Sequence, residues 1–208
     1  MTDLRSALLR ILRDYPDARY EPFKGHPLAS FVRTDARQAT FNALDAPAPT
    51  IVTRASPGRS AWATVPWIAV FDTTVTRSAT RGFYVVYLFS ADMRRLYLSL
   101  IVGTVSIRQR HGDGATDVLR DRAWLLAQRA EELGYPLPRA PIDLASDAGL
   151  PRDYEAAHAA GYAYEADALP AADALTADLN RVAGAYAALV EASGLMPTGE
   201  PPAARSTR

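Results

Sequence analysis

Three apolar runs rich in β-branched and aromatic residues, Val65 to Phe71, Phe83 to Ser90 and Leu96 to Val102, follow one another closely in the chain. The segment from Asp72 to Gly82 that joins the first two holds four threonines, one serine and two arginines, and Ala91 to Arg95 makes a short turn between the last two. One antiparallel meander is the economical reading of that pattern. Ahead of it, Thr50 to Thr53 reads as a short strand followed by a flexible turn from Ser56 to Ser60.

Helices flank this block on both sides. Leu4, Ala7, Leu8, Ile11 and Leu12 recur at helical spacing after Thr2, and the helix is expected to stop before Tyr15-Pro16. Pro27 opens a second helical stretch carrying Leu28, Phe31 and Val32, which continues or restarts at Thr34-Asp35 and runs to Leu44. After the strands, Thr116 or Asp117 caps a helix that Gly134 and Pro136 terminate. Leu137 to Leu169 is mixed, with Ile142 to Leu144 and Gly161 to Tyr164 as weak strand candidates, and Leu175, Leu179, Val182, Tyr186 and Leu189 define a last helix over 171 to 192. The expected architecture is α+β: a mainly antiparallel curved sheet from about 50 to 110, flanked by N-terminal and C-terminal helices. It forms a single domain over 1–193, and 194–208 is a Pro-rich flexible tail or linker.

Composition removes whole classes of chemistry. With no cysteine, thiolate metal sites, disulfides and a Cys nucleophile are excluded. Lys24 is the only lysine and follows no phosphate-binding glycine pattern, which rules out a P-loop, and the shortage of lysine argues against a Schiff-base mechanism. His26, His111 and His158 lie far apart without metal-ligand spacing, and no nucleophile elbow occurs. The chain reads as a non-enzyme with no metal and no cofactor. The N-terminus lacks the basic, then apolar, then small-residue pattern of a signal peptide, so a cytoplasmic setting is expected.

The zero net charge hides a segregation. Residues 1 to 140 hold 19 basic against 13 acidic residues and residues 141 to 208 hold 4 against 10, so the parts carry +6 and −6. Between 50 and 112, arginines 54, 59, 77, 81, 94, 95, 108 and 110 face only Asp72 and Asp92, an electrostatic footprint that a whole-chain sum conceals. Eight aromatics, Trp62, Trp67, Phe71, Phe83, Tyr84, Tyr87, Phe89 and Tyr97, interleave with these arginines. Arginine and aromatic rings together suit holding an unstacked base among phosphates. Period-2 alternation assigns at least half of these rings to plain core.

The block Trp62-Ala63-Thr64-Val65-Pro66-Trp67-Ile68-Ala69-Val70-Phe71-Asp72, then Thr76-Arg77-Ser78, Gly82 to Ser90, Asp92 and Tyr97-Leu98-Ser99-Leu100, resembles the McrB-like N-terminal domain family. Weaker agreement extends into the helices, including Asp178-Leu179 and Tyr186. The chain departs from the family pattern where Ile101-Val102-Gly103 stands in place of a polar Asn-Gln-Gly. The resemblance implies a DNA-binding head of a modification-dependent (type IV) restriction protein, reading modified cytosine, most readily 5-methylcytosine, in duplex DNA. A nuclease or GTPase domain or subunit is the implied partner.

Residues and resemblance together give one expected mechanism. Arg54, Arg59, Arg77, Arg81, Arg94 and Arg95 grip phosphates without reading sequence. A cytosine flips into a pocket walled by Trp62, Trp67, Tyr84, Tyr87 and Tyr97, with Asp72 accepting its N4 amine. Trp62 is the first choice for that wall. Other classes stay open: a protein-interaction module whose acidic C-terminal part docks a partner subunit, a small-molecule or nucleotide-binding domain, and an enzyme with an unfamiliar site.

Overall fold

The meander forms and gains a strand at its far edge. The computed structural model describes residues 2–194, so the expected tail, apart from Gly194, lies outside the described residues. Strands β1 (Ile51–Gly58), β2 (Trp62–Asp72), β3 (Phe83–Phe89), β4 (Arg95–Val102) and β5 (His158–Glu165) make one open sheet in that order. Every neighbouring pair is antiparallel. The helices are α1 (Leu4–Ala18), α2 (Pro27–Phe31), α3 (Arg37–Asn42), α4 (Val105–His111), α5 (Ala115–Glu132), α6 (Gly149–Ala157) and α7 (Ala172–Ala192). The fold is α+β, as expected.

Local chemistry explains most element ends. Asp3 caps α1 by accepting from the Ser6 N–H at 2.9 Å. The His26 Nδ1 accepts from the Leu28 N–H at 3.1 Å, and Pro27 occupies the first turn of α2, where a missing N–H costs nothing. The second helical stretch is continuous from Pro27 to Asn42 through a π-helical turn at Val32–Ala36.

Four boundaries differ from expectation. α1 runs through Pro16 to Ala18, because Tyr15 is buried and its hydroxyl sits 2.8 Å from both the Pro57 and Ala63 carbonyl oxygens, which holds the last turn on the sheet. β1 continues past Thr53 to Gly58 through a bulge, and Gly58 adopts a φ of +128° there, which favours glycine. The sheet ends at Val102 rather than near 110, since α4 starts at Val105, and α5 begins at Ala115 without a side-chain cap. Ile142 to Leu144 forms no strand, whereas Gly161 to Tyr164 lies inside β5.

β3 and β4 are buried along nearly their whole length on both faces. The register places Ile68, Val70, Phe83, Val85, Tyr87, Phe89, Leu98 and Leu100 on one face. α7 closes that face: Tyr186 meets Phe83 edge-on at 5.6 Å, and the Tyr164 hydroxyl donates to Asp178 at 2.9 Å. Trp67, Ala69, Tyr84, Val86, Leu88, Tyr97, Ser99 and Ile101 point to the other face. Its β4 side is covered by the segment around Asp143, whose carbonyl accepts from the Tyr97 hydroxyl at 2.9 Å, and by α6. Its β1–β2 side stays more open, with Val52, Ser56 and Trp67 half-buried and Arg54 exposed.

Two contacts generate predictions. The buried Tyr186 hydroxyl accepts the Asp72 backbone N–H at 2.7 Å and so ties α7 to the end of β2. Tyr186→Phe leaves that donor unsatisfied and is expected to cost about 1–3 kcal/mol in urea unfolding, with an unchanged slope. His158 lies beneath α5 and α6 with Nδ1 2.7 Å from the Ser99 hydroxyl, and burial pushes its pKa down to about 4. The unfolded chain takes up this proton near pH 6.5, so between about 6.5 and about 4 unfolding binds a proton and acid favours the unfolded state. Stability falls across that window as pH drops, and His158→Gln flattens the fall in pH-resolved thermal denaturation.

Candidate nucleic-acid interface

Because strands alternate direction, the connections sort into two ends of the sheet. The β1–β2 turn and the β3–β4 turn lie at one end, here the upper; the β2–β3 loop lies at the other. β3 spans roughly 20 Å between them at about 3.3 Å per residue. Arg59, Arg94 and Arg95 therefore belong to the upper end and Arg77 and Arg81 to the lower, while Arg54 sits on the open face of β1 opposite Ala69. They do not form a single ring of cations.

Among the described residues, Arg54, Arg59, Arg77, Arg81 and Arg94 are exposed and have no side-chain hydrogen bond or ion pair. Arg95 differs: its guanidinium donates to Asp143 at 2.8 Å and lies 3.7 Å from Glu165, so it fastens β4 to its cover.

The upper end is held together by three side-chain bonds to backbone carbonyls. Arg19 donates to the Ala91 carbonyl at 2.9 Å, Arg33 to the Gly58 carbonyl at 3.0 Å, and the Trp62 indole N–H to the Glu21 carbonyl at 2.9 Å. Trp62 is further enclosed by Tyr15, Phe23 and His26, each meeting it edge-on at about 5 Å. Its ring locks the α1–α2 connection to β2, a structural task that the sequence did not disclose because every partner but Tyr15 lies in a loop.

The six residues grouped as a base pocket are not brought together. Asp72 and Tyr87 face α7, and Trp62 faces α1, whereas Trp67, Tyr84 and Tyr97 face the opposite side of the sheet. Tyr84, Tyr87 and Tyr97 are at most 3% exposed and belong to the core. Burial raises the Tyr84 and Tyr87 phenols far above their ordinary range, so both stay neutral. The Asp72 carboxylate accepts from the Thr74 N–H at 2.8 Å, the Thr74 hydroxyl at 2.6 Å and the Thr50 hydroxyl at 3.0 Å, organising the turn after β2. Trp67 keeps a partly open ring on the open face, diagonal across the ladder from the exposed Arg54.

A concavity does exist, at the lower end. Gly82, Phe83, Val102, Ile107, Leu125 and Leu126 line an apolar hollow of about 400 Å³, closed by Leu189 and Ala192 of α7 and edged by Arg122 and Arg129. Arg81 adjoins it, since its backbone packs on Gly103, where a Cβ would come within 2.5 Å; only glycine permits that approach. The Gly103 N–H donates to the Gly82 carbonyl at 2.7 Å, and the Ser106 N–H to the Thr80 carbonyl at 2.9 Å, so the β2–β3 loop is fixed against the start of α4. Sequence inspection missed this hollow because α5 and α7, distant in the chain, supply half of its wall.

Among the described residues, no group of three or more His, Asp or Glu could hold a metal ion. No described helix is long and apolar enough to cross a membrane. Trp62→Ala is expected to lower stability by about 3 kcal/mol in chemical unfolding, through the lost ring contacts and the lost bond to the Glu21 carbonyl. Trp67→Ala, with its half-open ring, is expected to cost less than Trp62→Ala in the same measurement.

No curated protein matches the chain. The match to a family is extensive: residues 10–191, which include every strand and all but the first turns of α1, fit the MrcB-like, N-terminal domain, and the chain belongs to that family, which points to DNA binding in a restriction system.

Proposed function

We propose that this domain is the non-catalytic specificity module of a modification-dependent restriction system, reading modified cytosine, 5-methylcytosine first, in duplex DNA. Catalysis would fall to a nuclease or GTPase domain or subunit, in a cytoplasmic setting. The observation that carries the reading is the lower-end hollow: an apolar socket of about 400 Å³ edged by Arg122 and adjoined by Arg81, neither of them ion-paired among the described residues, with Arg77 on the same β2–β3 loop as Arg81. A base extruded from a duplex needs an apolar recess with cations within reach of the flanking phosphates, and the family membership supplies the DNA context.

In this reading Arg77 and Arg81 hold the backbone on one side of the recess and Arg122 on the other. The target base enters against Phe83, Leu125 and Leu126, whose side chains reward a 5-methyl group by removing it from water. Arg54 and the partly open Trp67 give the duplex a second, weaker footing along the β1–β2 margin. The Tyr84, Tyr87 and Tyr97 rings support the sheet and take no part in contact.

Fluorescence polarisation with matched duplexes carrying cytosine, 5-methylcytosine or 5-hydroxymethylcytosine, at several salt concentrations, tests this. One buried methyl is worth about 0.8 kcal/mol, so a preference of about fourfold or more for the methylated duplex is expected. Arg81→Ala is expected to weaken all duplexes and to reduce the log–log salt slope by about 0.9. Leu125→Ser, at an exposed position, is expected to reduce the methyl preference without unfolding the chain. Equal affinity for all three duplexes rejects modified-base reading, and absence of binding rejects the DNA reading.

A further inference from the structure

A second cleft lies on the other side of α5. Leu125 lines the lower-end hollow, but its neighbour Trp124 lines a separate cleft of about 690 Å³ between α5, α6 and residues 139–142. The two cavities share no lining residue. The size is that of a small-molecule site.

The lining combines two kinds of chemistry. Trp124 is 58% exposed, so a large flat ring stands at the cleft without protein covering it. Arg120 of α5, Arg139 of the connecting segment and Arg152 of α6 converge on the same space, against one lining carboxylate, Glu155. The three guanidiniums do have partners: Asp117 at 3.5 Å for Arg120, Asp147 at 2.6 Å for Arg152, and Glu131 for Arg139. Those carboxylates are 84%, 98% and 60% exposed, and ion pairs in such solvent contribute little, so an incoming phosphate can replace them. Glu155 accepts the Leu144 N–H at 2.8 Å through one oxygen, which fixes its carboxylate at the cleft wall. Ala123, Ala127 and Ala156 keep the floor shallow and apolar.

We propose that this cleft is a second binding site, for a nucleoside phosphate: the base stacks on Trp124 and the phosphate is held by Arg120, Arg139 and Arg152. An aromatic plane beside several guanidiniums suits a planar base joined to an anion, whereas either half alone would serve a simpler ligand. A free mononucleotide and a single nucleotide of an unpaired strand share this chemistry. The site does not depend on where duplex DNA binds.

Isothermal titration calorimetry on the full chain tests it with five probes: deoxyadenosine 5′-monophosphate, deoxycytidine 5′-monophosphate, adenosine, inorganic phosphate and a short single-stranded oligonucleotide. The mononucleotides are expected to bind more tightly than adenosine or phosphate alone. Trp124→Ala is expected to weaken them at least about fivefold, the loss of one stacked base, with Trp124→Phe restoring most of the affinity. Arg152→Ala is expected to weaken the mononucleotides but not adenosine. Because Trp124 is exposed, circular dichroism should show the variants folded, and their affinity for a methylated duplex should be unchanged. Binding of the oligonucleotide but of neither mononucleotide assigns the site to a nucleotide within a strand. Phosphate binding as tightly as the mononucleotides, binding that Trp124→Ala leaves intact, or no binding by any probe overturns the proposal.

Discussion

Strands β3 and β4 have no wet face, and the rest of the molecule follows from that. A continuous apolar run such as Phe83 to Phe89 must be covered on both sides, so α1, α3 and α7 close one face, and α6 with the 140s segment closes the other. The cover is tied down by single polar bonds at the margins. Tyr186 reaches the end of β2, Tyr97 reaches Asp143, and Asp153, buried on α6, is held by Arg108 of α4 through Nε at 3.0 Å and a second guanidinium nitrogen. With both faces of the centre consumed, chemistry is left only at the strand ends, on the open β1–β2 margin and on the outer helices.

That constraint explains which sequence expectations survived contact with the structure. The meander, the flanking helices and the α+β class were legible because each rests on short-range periodicity and turn chemistry. The aromatic grouping was not, because the residues of one strand alternate between faces. Tyr84 and Tyr87 are three apart and cannot share a wall, however close they stand in the chain. Which face was wet depended on helices supplied by residues 1–42 and 149–192, and nothing within the strands records that. β5 was faint for a different reason. His158 to Glu165 is rich in alanine and glycine, with little strand propensity, and pairs because β4 offers an open edge. Gly161 lies so close to that partner that a Cβ would fall 1.9 Å from the Leu98 carbonyl oxygen. The exposure of Arg59, Arg77, Arg81 and Arg94 follows from their places in loops, which lie at the surface by construction, whereas Arg95 is ion-paired.

Charge arrangement follows the same geometry. The chain as a whole is neutral, so no net long-range attraction draws a polyanion toward it, and screening confines each guanidinium's influence to about 8 Å at physiological salt. Binding must then come from guanidiniums placed where the anion lies. Arg59 with Arg94 above, and Arg77 with Arg81 below, stand about one β3 length apart, so a ligand that engages both ends must be long and regular. The ion-paired Arg95 and Arg108 are counted in the basic stretch of the sequence, yet both are bound to carboxylates from the acidic C-terminal part. Part of the apparent segregation is therefore neutralised inside the fold and serves packing.

α5 shows how small residues on one side of a helix shape the surface on the other. Its buried positions Leu119, Ala123, Ala127 and Ala130 are mostly alanine, which lets the helix axis lie close to α6 and β5. Trp124 and Leu125 fall off that stripe and turn outward, each 58% exposed. Successive residues on a helix point about 100° apart. The pair therefore faces two directions, and each side chain becomes part of a different cavity wall. Exposed large apolar side chains on a charged helix cost solubility unless something uses them. Ala123 and Ala127, on the buried side of α5, line only the second of these cavities, so a bulkier residue there would fill that cleft first.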